Sequence, residues 1–138
     1  MFSGCTGLTS APELPATELA KYCYEGMFSG CTGLTSAPEL LVTALTEGCY
    51  QSMFSDCTGL TSAPELPATE LAKYCYRTMF EKCSSLISID VSFNDWGDSS
   101  TYNWLGSVGA AGTFICPAGL EQIFDSSHIP GDWTVVTK

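Results

Sequence analysis

A 26-residue unit is repeated along this chain, and it constrains the fold more than any other feature. The copy at residues 27–52 reads MFSGCTGLTSAPELLVTALTEGCYQS, and related copies begin at Met1 and Met53. The first and third copies are identical at 23 of 26 positions, and a fourth start at Met79 keeps Met, Phe, Cys and Leu at the same offsets. Because a unit this short cannot bury its own apolar side chains, we expect the copies to stack along one axis and share a core.

The second half of each copy has the spacing of an amphipathic helix. In the first copy, Leu19, Cys23 and Met27 recur at every fourth residue, with polar residues between them. This pattern predicts a helix that is capped by Thr17 and ends near Gly30. The helices expected in the three copies cover residues 18–29, 44–55 and 70–81.

The first half of each copy has room for a short strand that ends at a proline. In the second copy, residues 34–37 tolerate a strand, and Pro38 cannot donate to a β-ladder. Glu39 follows, and a stacked row of buried carboxylates would be unfavourable. We therefore infer that the proline bends the chain, that the next leucine faces the core and that the glutamate faces solvent. The leucines are Leu14, Leu40 and Leu66, and the glutamates are Glu13, Glu39 and Glu65.

Composition argues against several classes of function. The chain has 15 acidic residues against 5 Lys plus Arg, which gives a net charge of −10 at pH 7. Since nucleic-acid binding needs a positive surface, we expect no nucleic-acid partner. No stretch approaches the ~20 apolar residues of a membrane span, so we expect no membrane insertion in this segment. A secretion signal is not visible, but Met1 occupies the repeat's own Met position, which predicts that the chain is a piece of a longer, secreted protein.

Seven of the eight cysteines follow the repeat and form two columns. The first column is Cys5, Cys31, Cys57 and Cys83, and the second is Cys23, Cys49 and Cys75. No CxxC pair occurs, so a structural zinc site is not expected. Stacked copies would bring equivalent cysteines to about 4.8 Å, but with parallel Cβ vectors. Buried free thiols are therefore favoured, while disulfides stay open as the alternative.

The period fails after residue 93. Residues 94–100 form a polar loop, NDWGDSS; a helical turn is expected within residues 101–107, and two short strands over residues 113–116 and 133–136. The three tryptophans all lie in this segment, at Trp96, Trp104 and Trp133. We therefore divide the chain into a repeat domain at residues 1–93 and a C-terminal capping segment at residues 94–138. No cap precedes the first copy.

The residues CTGLTSAPEL and the recurring MFSGC resemble the BspA-like leucine-rich repeats of bacterial surface proteins, in which a phenylalanine and a cysteine precede each short strand. The resemblance covers residues 1–93. It implies the fold class α/β, as a leucine-rich-repeat solenoid of about three to four strand–helix coils with a C-terminal cap. It also implies an extracellular location at the bacterial cell surface and contact with host matrix proteins, glycans or other cells.

Few residues offer catalytic or metal-binding chemistry. The only histidine, His128, lies in a polar loop without a nucleophile-elbow motif and is interpreted as a surface residue. The NDWGDSS loop lacks the full pattern of a calcium loop. The glutamate row has the spacing to share a calcium ion or to meet a basic partner, although a solvated row is the simpler interpretation. We expect no enzymatic activity, no cofactor and no metal site.

Surface variation on a constant core favours recognition. One offset changes charge between copies, at Glu25, Gln51 and Arg77, and the glutamate row offers a second candidate surface. We therefore predict a non-enzymatic adhesion module that binds a host or cell-surface protein or a glycan. The alternative is a structural spacer or stalk within a larger surface protein. The uncapped first copy also predicts end-to-end self-association.

Overall fold

The computed structural model describes residues 2–138, so the first copy's start at Met1 lies outside the described residues. Within that range the chain forms three short β-strands, which make one parallel sheet in the order β1-β2-β3. β1 spans Ser88–Asp90, β2 spans Thr113–Cys116 and β3 spans Thr134–Thr137. The sheet therefore joins the fourth copy to the C-terminal segment.

The register of the sheet places apolar side chains of neighbouring strands beside one another. Ile89 pairs with Phe114, which pairs in turn with Val135. Ile89 and Phe114 are buried, whereas β3 is an edge strand and is mostly exposed. The strand predicted over residues 113–116 is confirmed. The strand predicted over residues 133–136 begins and ends one residue later.

In the earlier copies the strand position is reduced to single β-bridges. Ser10 pairs with Ser36, and Ser62 pairs with Ser88 of the fourth copy, each pair parallel and 26 residues apart. The N–H of Thr35 donates to the carbonyl of Thr9 at 3.0 Å. Adjacent copies therefore lie side by side with equivalent residues in register.

Where helices were predicted, the chain forms runs of tight turns. The runs cover residues 21–30, 47–56, 73–82 and 100–107. Alternate N–H groups close a turn to the carbonyl three residues earlier, as Glu25 does to Tyr22 at 3.2 Å. The N–H groups between them donate to the next copy, as Tyr24 does to Cys49 at 3.0 Å. Half of the backbone donors are thus used between copies, so an α-helix cannot form.

Every fourth residue along these runs has a positive φ, which is the left-handed backbone conformation, and the chain changes direction there. In the first run Tyr22, Gly26 and Gly30 have φ values of 55°, 60° and 74°. The equivalent positive-φ positions are Gly48, Ser52 and Asp56, then Tyr74, Thr78 and Lys82, then Ser99, Asn103 and Ser107. Residues in this conformation cannot continue a right-handed helix.

The prediction of an α/β leucine-rich-repeat solenoid built from strand–helix coils is therefore wrong. No helix occurs anywhere in residues 2–138, which removes the helices expected over residues 18–29, 44–55 and 70–81 and the helical turn expected within residues 101–107. The spacing of four that suggested a helix is real, but it belongs to the four-residue period of the turns. Thr17 consequently caps no helix.

Stacked aromatic columns form much of the core. The rings of Phe2, Phe28, Phe54 and Phe80 follow one another at centroid distances of 5.5 to 5.6 Å. A second column contains Tyr24, Tyr50, Tyr76 and Trp104, with centroids 6.0 to 6.2 Å apart. Each ring thus packs on the equivalent ring of the neighbouring copy, which links the copies through apolar contacts.

The cysteines are free thiols, and most are buried in the core as the sequence predicted. Cys31, Cys57 and Cys83 each place Sγ 2.9 to 3.0 Å from a carbonyl oxygen of the preceding copy. Cys5 and Cys23, in the first copy, are exposed. The buried thiols therefore pack as small apolar groups and also donate weak hydrogen bonds between copies.

The three tryptophans of the C-terminal segment are buried and hydrogen-bonded. The indole N–H groups of Trp96, Trp104 and Trp133 donate at 2.8 Å to the carbonyls of Glu121, His128 and Gly109. Trp104 also stacks on Tyr76 of the third copy. These side chains tie the C-terminal segment to the repeated part of the core.

Candidate recognition surfaces

The predicted glutamate row faces solvent. Glu13, Glu39 and Glu65 are exposed, whereas Leu40 and Leu66 are buried and Leu14 is half-buried. The interpretation that the leucine after each proline–glutamate pair turns inward is therefore confirmed. The three carboxylates differ in their surroundings, because Glu13 and Glu39 line a groove and Glu65 does not.

A groove lies between the segments that follow the first two strand positions. It has a volume of about 710 Å³ and is lined by residues of two stretches, 11–17 and 38–44. Glu13 and Glu39 contribute carboxylates to it, while Leu41 and Val42 contribute apolar surface. Glu65 does not line it. The groove therefore combines apolar walls with negative charge and has the size of a ligand site.

The walls of the groove have unpaired backbone groups. Within the described part of the chain, residues 12–19 and 37–45 take part in no backbone–backbone hydrogen bond. In the equivalent stretch of the third copy, two residues pair with the fourth copy. There the N–H of Ala63 donates to Ser88 and that of Leu66 to Asp90, both at 3.0 Å. The groove thus opens where the copies do not pair.

The second copy differs from its neighbours in the groove. Residues 40–43 read LLVT, whereas the first and third copies read LPAT. The side chain of Leu41 is 76% exposed, the largest exposure among the large apolar residues described as exposed. In the third copy Ala68, which is equivalent to Val42, is fully buried. Leu41 and the groove were not predicted, although the departure from LPAT was a visible signal.

The second predicted surface is also formed by equivalent residues of adjacent copies. Gln51 Nε2 donates to Glu25 Oε1 at 3.4 Å. The guanidinium of Arg77 lies 5.3 Å from the ring centroid of Tyr74 and 5.4 Å from that of Tyr102. The structure thus brings Glu25 and Gln51 together, while Arg77 is held by aromatic rings at the far end of the row.

A row of charged and aromatic side chains lies beside this surface. Lys21 Nζ and Glu47 Oε2 are 3.5 Å apart, and Lys73 lies over Tyr74 at 4.9 Å. The ring of Tyr22 covers Gly48, whose missing side chain leaves the space that the ring occupies. Partial burial and then the carboxylate of Glu47 raise the pKa of the Tyr22 hydroxyl. Gly48 therefore accommodates an aromatic neighbour from the first copy.

His128 lies at the surface, half-buried, and its ring packs against the C-terminal segment. Its Nδ1 lies 2.6 Å from Asp125 Oδ1, and its ring meets Trp96 edge-on at 4.8 Å. Asp125 Oδ1 also accepts the N–H of Ser127 at 2.8 Å. These contacts give the histidine a structural role.

The described residues contain no cluster of three or more His, Cys, Asp or Glu side chains arranged to hold a metal ion. In the NDWGDSS loop, Asp95 Oδ1 accepts the N–H of Gly97 at 2.8 Å, which is a local turn interaction. A search of residues 2–138 finds no helix long and apolar enough to cross a membrane.

The first copy has a more open outer face than the later copies. Phe2, Leu8 and Tyr24 are only partly buried, whereas the equivalent Phe54, Leu60 and Tyr76 are almost completely buried. End-to-end self-association through this face stays a prediction.

No family model, no curated protein and no solved structure matches this chain. The resemblance to BspA-like repeats therefore rests on the sequence motifs alone.

Proposed function

We propose that this protein is a non-enzymatic recognition module that binds a protein or glycan partner outside the cell. The observation that carries the proposal is the acidic and apolar groove formed by residues 11–17 and 38–44. An open concave surface of this kind is where a partner can remove apolar area from water and gain charge-specific contacts.

The distribution of sequence changes between copies supports the same function. The Phe, Cys and Leu positions persist, whereas the offset of Glu25, Gln51 and Arg77, which is exposed in the first copy and half-buried in the next two, changes in charge. A constant core with a varied surface is the pattern expected when stacked copies present different side chains to a partner. The extracellular bacterial location is proposed from the resemblance of the repeat.

The proposal is tested by measuring binding of the purified chain to a glycan panel and to immobilised matrix proteins such as fibronectin and collagen. We expect saturable binding to at least one member. An unrelated protein with a similar negative charge serves as the control, because it reports non-specific electrostatic adsorption. Absence of saturable binding across both panels would count against recognition.

A structural spacer is the second candidate, and the continuous aromatic columns favour it. Rings that stack from Phe2 through Phe80 link successive copies into one column. A spacer needs no conserved surface chemistry. If the chain is a spacer, a variant with Glu13, Glu39 and Leu41 replaced should keep the function of the unsubstituted protein. If the chain is a recognition module, the same variant should lose binding to its partner.

A further inference from the structure

We propose that the groove between residues 11–17 and 38–44 binds an extended, basic segment of a partner protein, which pairs with the exposed backbone of the groove. This inference rests on the proposed recognition function and specifies its partner. Three independent features of the groove support it, namely the unpaired backbone, the charge and the chemistry of the walls.

The backbone is the first feature. Residues 12–19 and 37–45 are free of backbone–backbone hydrogen bonds within the described chain, and they run along the two sides of the groove. An extended chain presents N–H and C=O groups on both edges, so a segment laid between the walls can bond to the carbonyls of both walls and to their N–H groups, except at Pro12, Pro15 and Pro38, which have none. The paired stretch around Ala63 and Leu66 shows that this part of the repeat accepts an extended neighbour when one is available.

Charge is the second feature. Glu13 and Glu39 line the groove, and no Lys or Arg occurs in either lining stretch. Two carboxylates near apolar surface favour a cationic ligand, and the net charge of −10 strengthens the attraction at low salt. A partner with Lys or Arg side chains is therefore preferred over a neutral or acidic one.

The walls are the third feature, and they favour a peptide over a sugar. Pro15, Ala16, Leu41 and Val42 supply apolar surface. Besides the two carboxylates, Thr17 and Thr43 are the only lining residues with polar side chains. A strand with alternating side chains can place apolar groups on these walls and basic groups towards the glutamates.

The test uses the seven-residue peptide acetyl-KVKVKVK-amide, because alternation places lysines on one face and valines on the other. Binding is measured by isothermal titration calorimetry, and its location by amide chemical-shift changes in the NMR spectrum of the labelled protein. We expect saturable binding, with the largest shifts in residues 12–19 and 37–45. Acetyl-EVEVEVE-amide should not bind, and equal binding of this acidic peptide would overturn the inference.

Backbone pairing is tested separately with the basic peptide N-methylated at its valines. Methylation removes alternate donors while leaving the charge unchanged. Since each lost hydrogen bond weakens binding several-fold, loss of several should weaken binding about tenfold or more. Undiminished affinity would show that the peptide does not pair with the groove.

The carboxylates are tested with the double variant Glu13→Gln/Glu39→Gln. Both residues are exposed, so the fold should be retained, and binding of the basic peptide should weaken about tenfold. The matched control is Glu70→Gln/Glu121→Gln, which removes the same charge at exposed positions outside the groove and should change affinity less than about twofold. Equal losses in both variants would reject the groove as the site.

Binding experiments distinguish failure of the recognition function from failure of the proposal that the groove binds a basic peptide. If a glycan or matrix protein binds and the Glu13→Gln/Glu39→Gln variant retains that binding, recognition stands and the groove inference is rejected. If a glycan competes for the groove and the basic peptide does not bind it, the groove is a sugar site and the inference is again overturned.

Discussion

The ring of Phe28 lies parallel to the ring of Phe54 of the next copy, with centroids 5.6 Å apart and planes only 8° apart. Phe80 continues the stack on the other side of Phe54 at the same spacing. Phe54 is therefore fully enclosed between equivalent side chains. Its position makes it a direct test of how strongly the copies hold one another.

We expect Phe54→Leu to lower the free energy of unfolding by about 1–2 kcal/mol, because it removes two ring contacts and leaves part of the volume unfilled. Urea denaturation followed by circular dichroism measures the change. Phe124→Leu is the control, since Phe124 is 50% exposed and its replacement should alter stability by less than about 0.5 kcal/mol. Equal effects of both substitutions would mean that the stack contributes little.

The glycine after each Cys–Thr pair tests the close approach of adjacent backbones. A Cβ at Gly33 would lie 2.4 Å from the carbonyl oxygen of Thr6, whereas a Cβ at the equivalent Gly7 meets nothing within 4 Å. We expect Gly33→Ala to destabilise the protein by about 1–3 kcal/mol and Gly7→Ala to be nearly neutral. A Cβ at Gly59 would likewise lie 2.7 Å from the carbonyl oxygen of Thr32, so the steric demand concerns the second and third copies.

Thermal unfolding of the two glycine variants under identical conditions measures this difference. A similar loss in Gly7→Ala would point to the conformational preference of glycine instead of a backbone collision. An unchanged Gly33→Ala protein would show that the first two copies separate freely.

Thiol labelling is expected to divide the cysteines by their position in the stack. Cys5 and Cys23 are exposed, and the other six are buried. Since alkylation needs access and a thiolate, iodoacetamide at pH 8 should modify Cys5 rapidly, Cys23 more slowly because burial raises the pKa of its thiol, and the others only after unfolding. Intact mass measurement before and after urea counts the adducts. The Cys5→Ser/Cys23→Ser variant should remain unlabelled when folded, and rapid labelling of it would contradict the buried columns.

Stability should fall at alkaline pH because of the buried thiols. Burial raises the pKa of Cys57 and Cys75 from an ordinary 9.0 to about 12. Above pH 9.0 the unfolded chain loses these protons while the folded chain retains them, so unfolding is increasingly favoured. The stabilising contribution is complete below the ordinary thiol pKa and is lost as the pH rises towards about 12. Urea midpoints measured from pH 7 to about pH 11 should therefore decrease.

The variant Cys57→Ala/Cys75→Ala provides the comparison for this pH dependence. It should be less stable than the parent at pH 7, because two buried side chains become smaller, but its stability should fall less steeply above pH 9. Burial also raises the pKa of the Tyr50 and Tyr76 hydroxyls, so some alkaline dependence should remain. Parallel curves for parent and variant would show that the thiols do not contribute.

The repeat predicts much of the core directly. Equivalent residues 26 positions apart must meet if copies lie side by side, and this accounts for the buried columns that contain Phe54, Cys57 and Tyr76. The outward direction of Glu39 also followed from the sequence, because a proline precedes it and a buried row of carboxylates would be costly.

The helix prediction was wrong because an α-helix and a run of four-residue turns both place apolar residues four positions apart. Apolar residues four apart suit a helix, but they also suit turns that repeat every four residues. The positions of Gly26 and Gly30, themselves four apart, were the overlooked signal, because both adopt a left-handed conformation. Isolated periodicity does not reveal that alternate N–H groups donate to a neighbouring copy.

The sequence by itself therefore determined the period, the identity of the buried columns and the exposed glutamates, because these depend on which side chains recur at one offset. Only the tertiary structure decided that turns replace helices and that a groove opens beside Leu41. Both outcomes depend on whether backbone donors find partners in the same copy, in the next copy or in neither. The partners of the backbone donors are determined when the copies pack together. In the described chain, this packing leaves residues 12–19 and 37–45 without backbone–backbone hydrogen bonds.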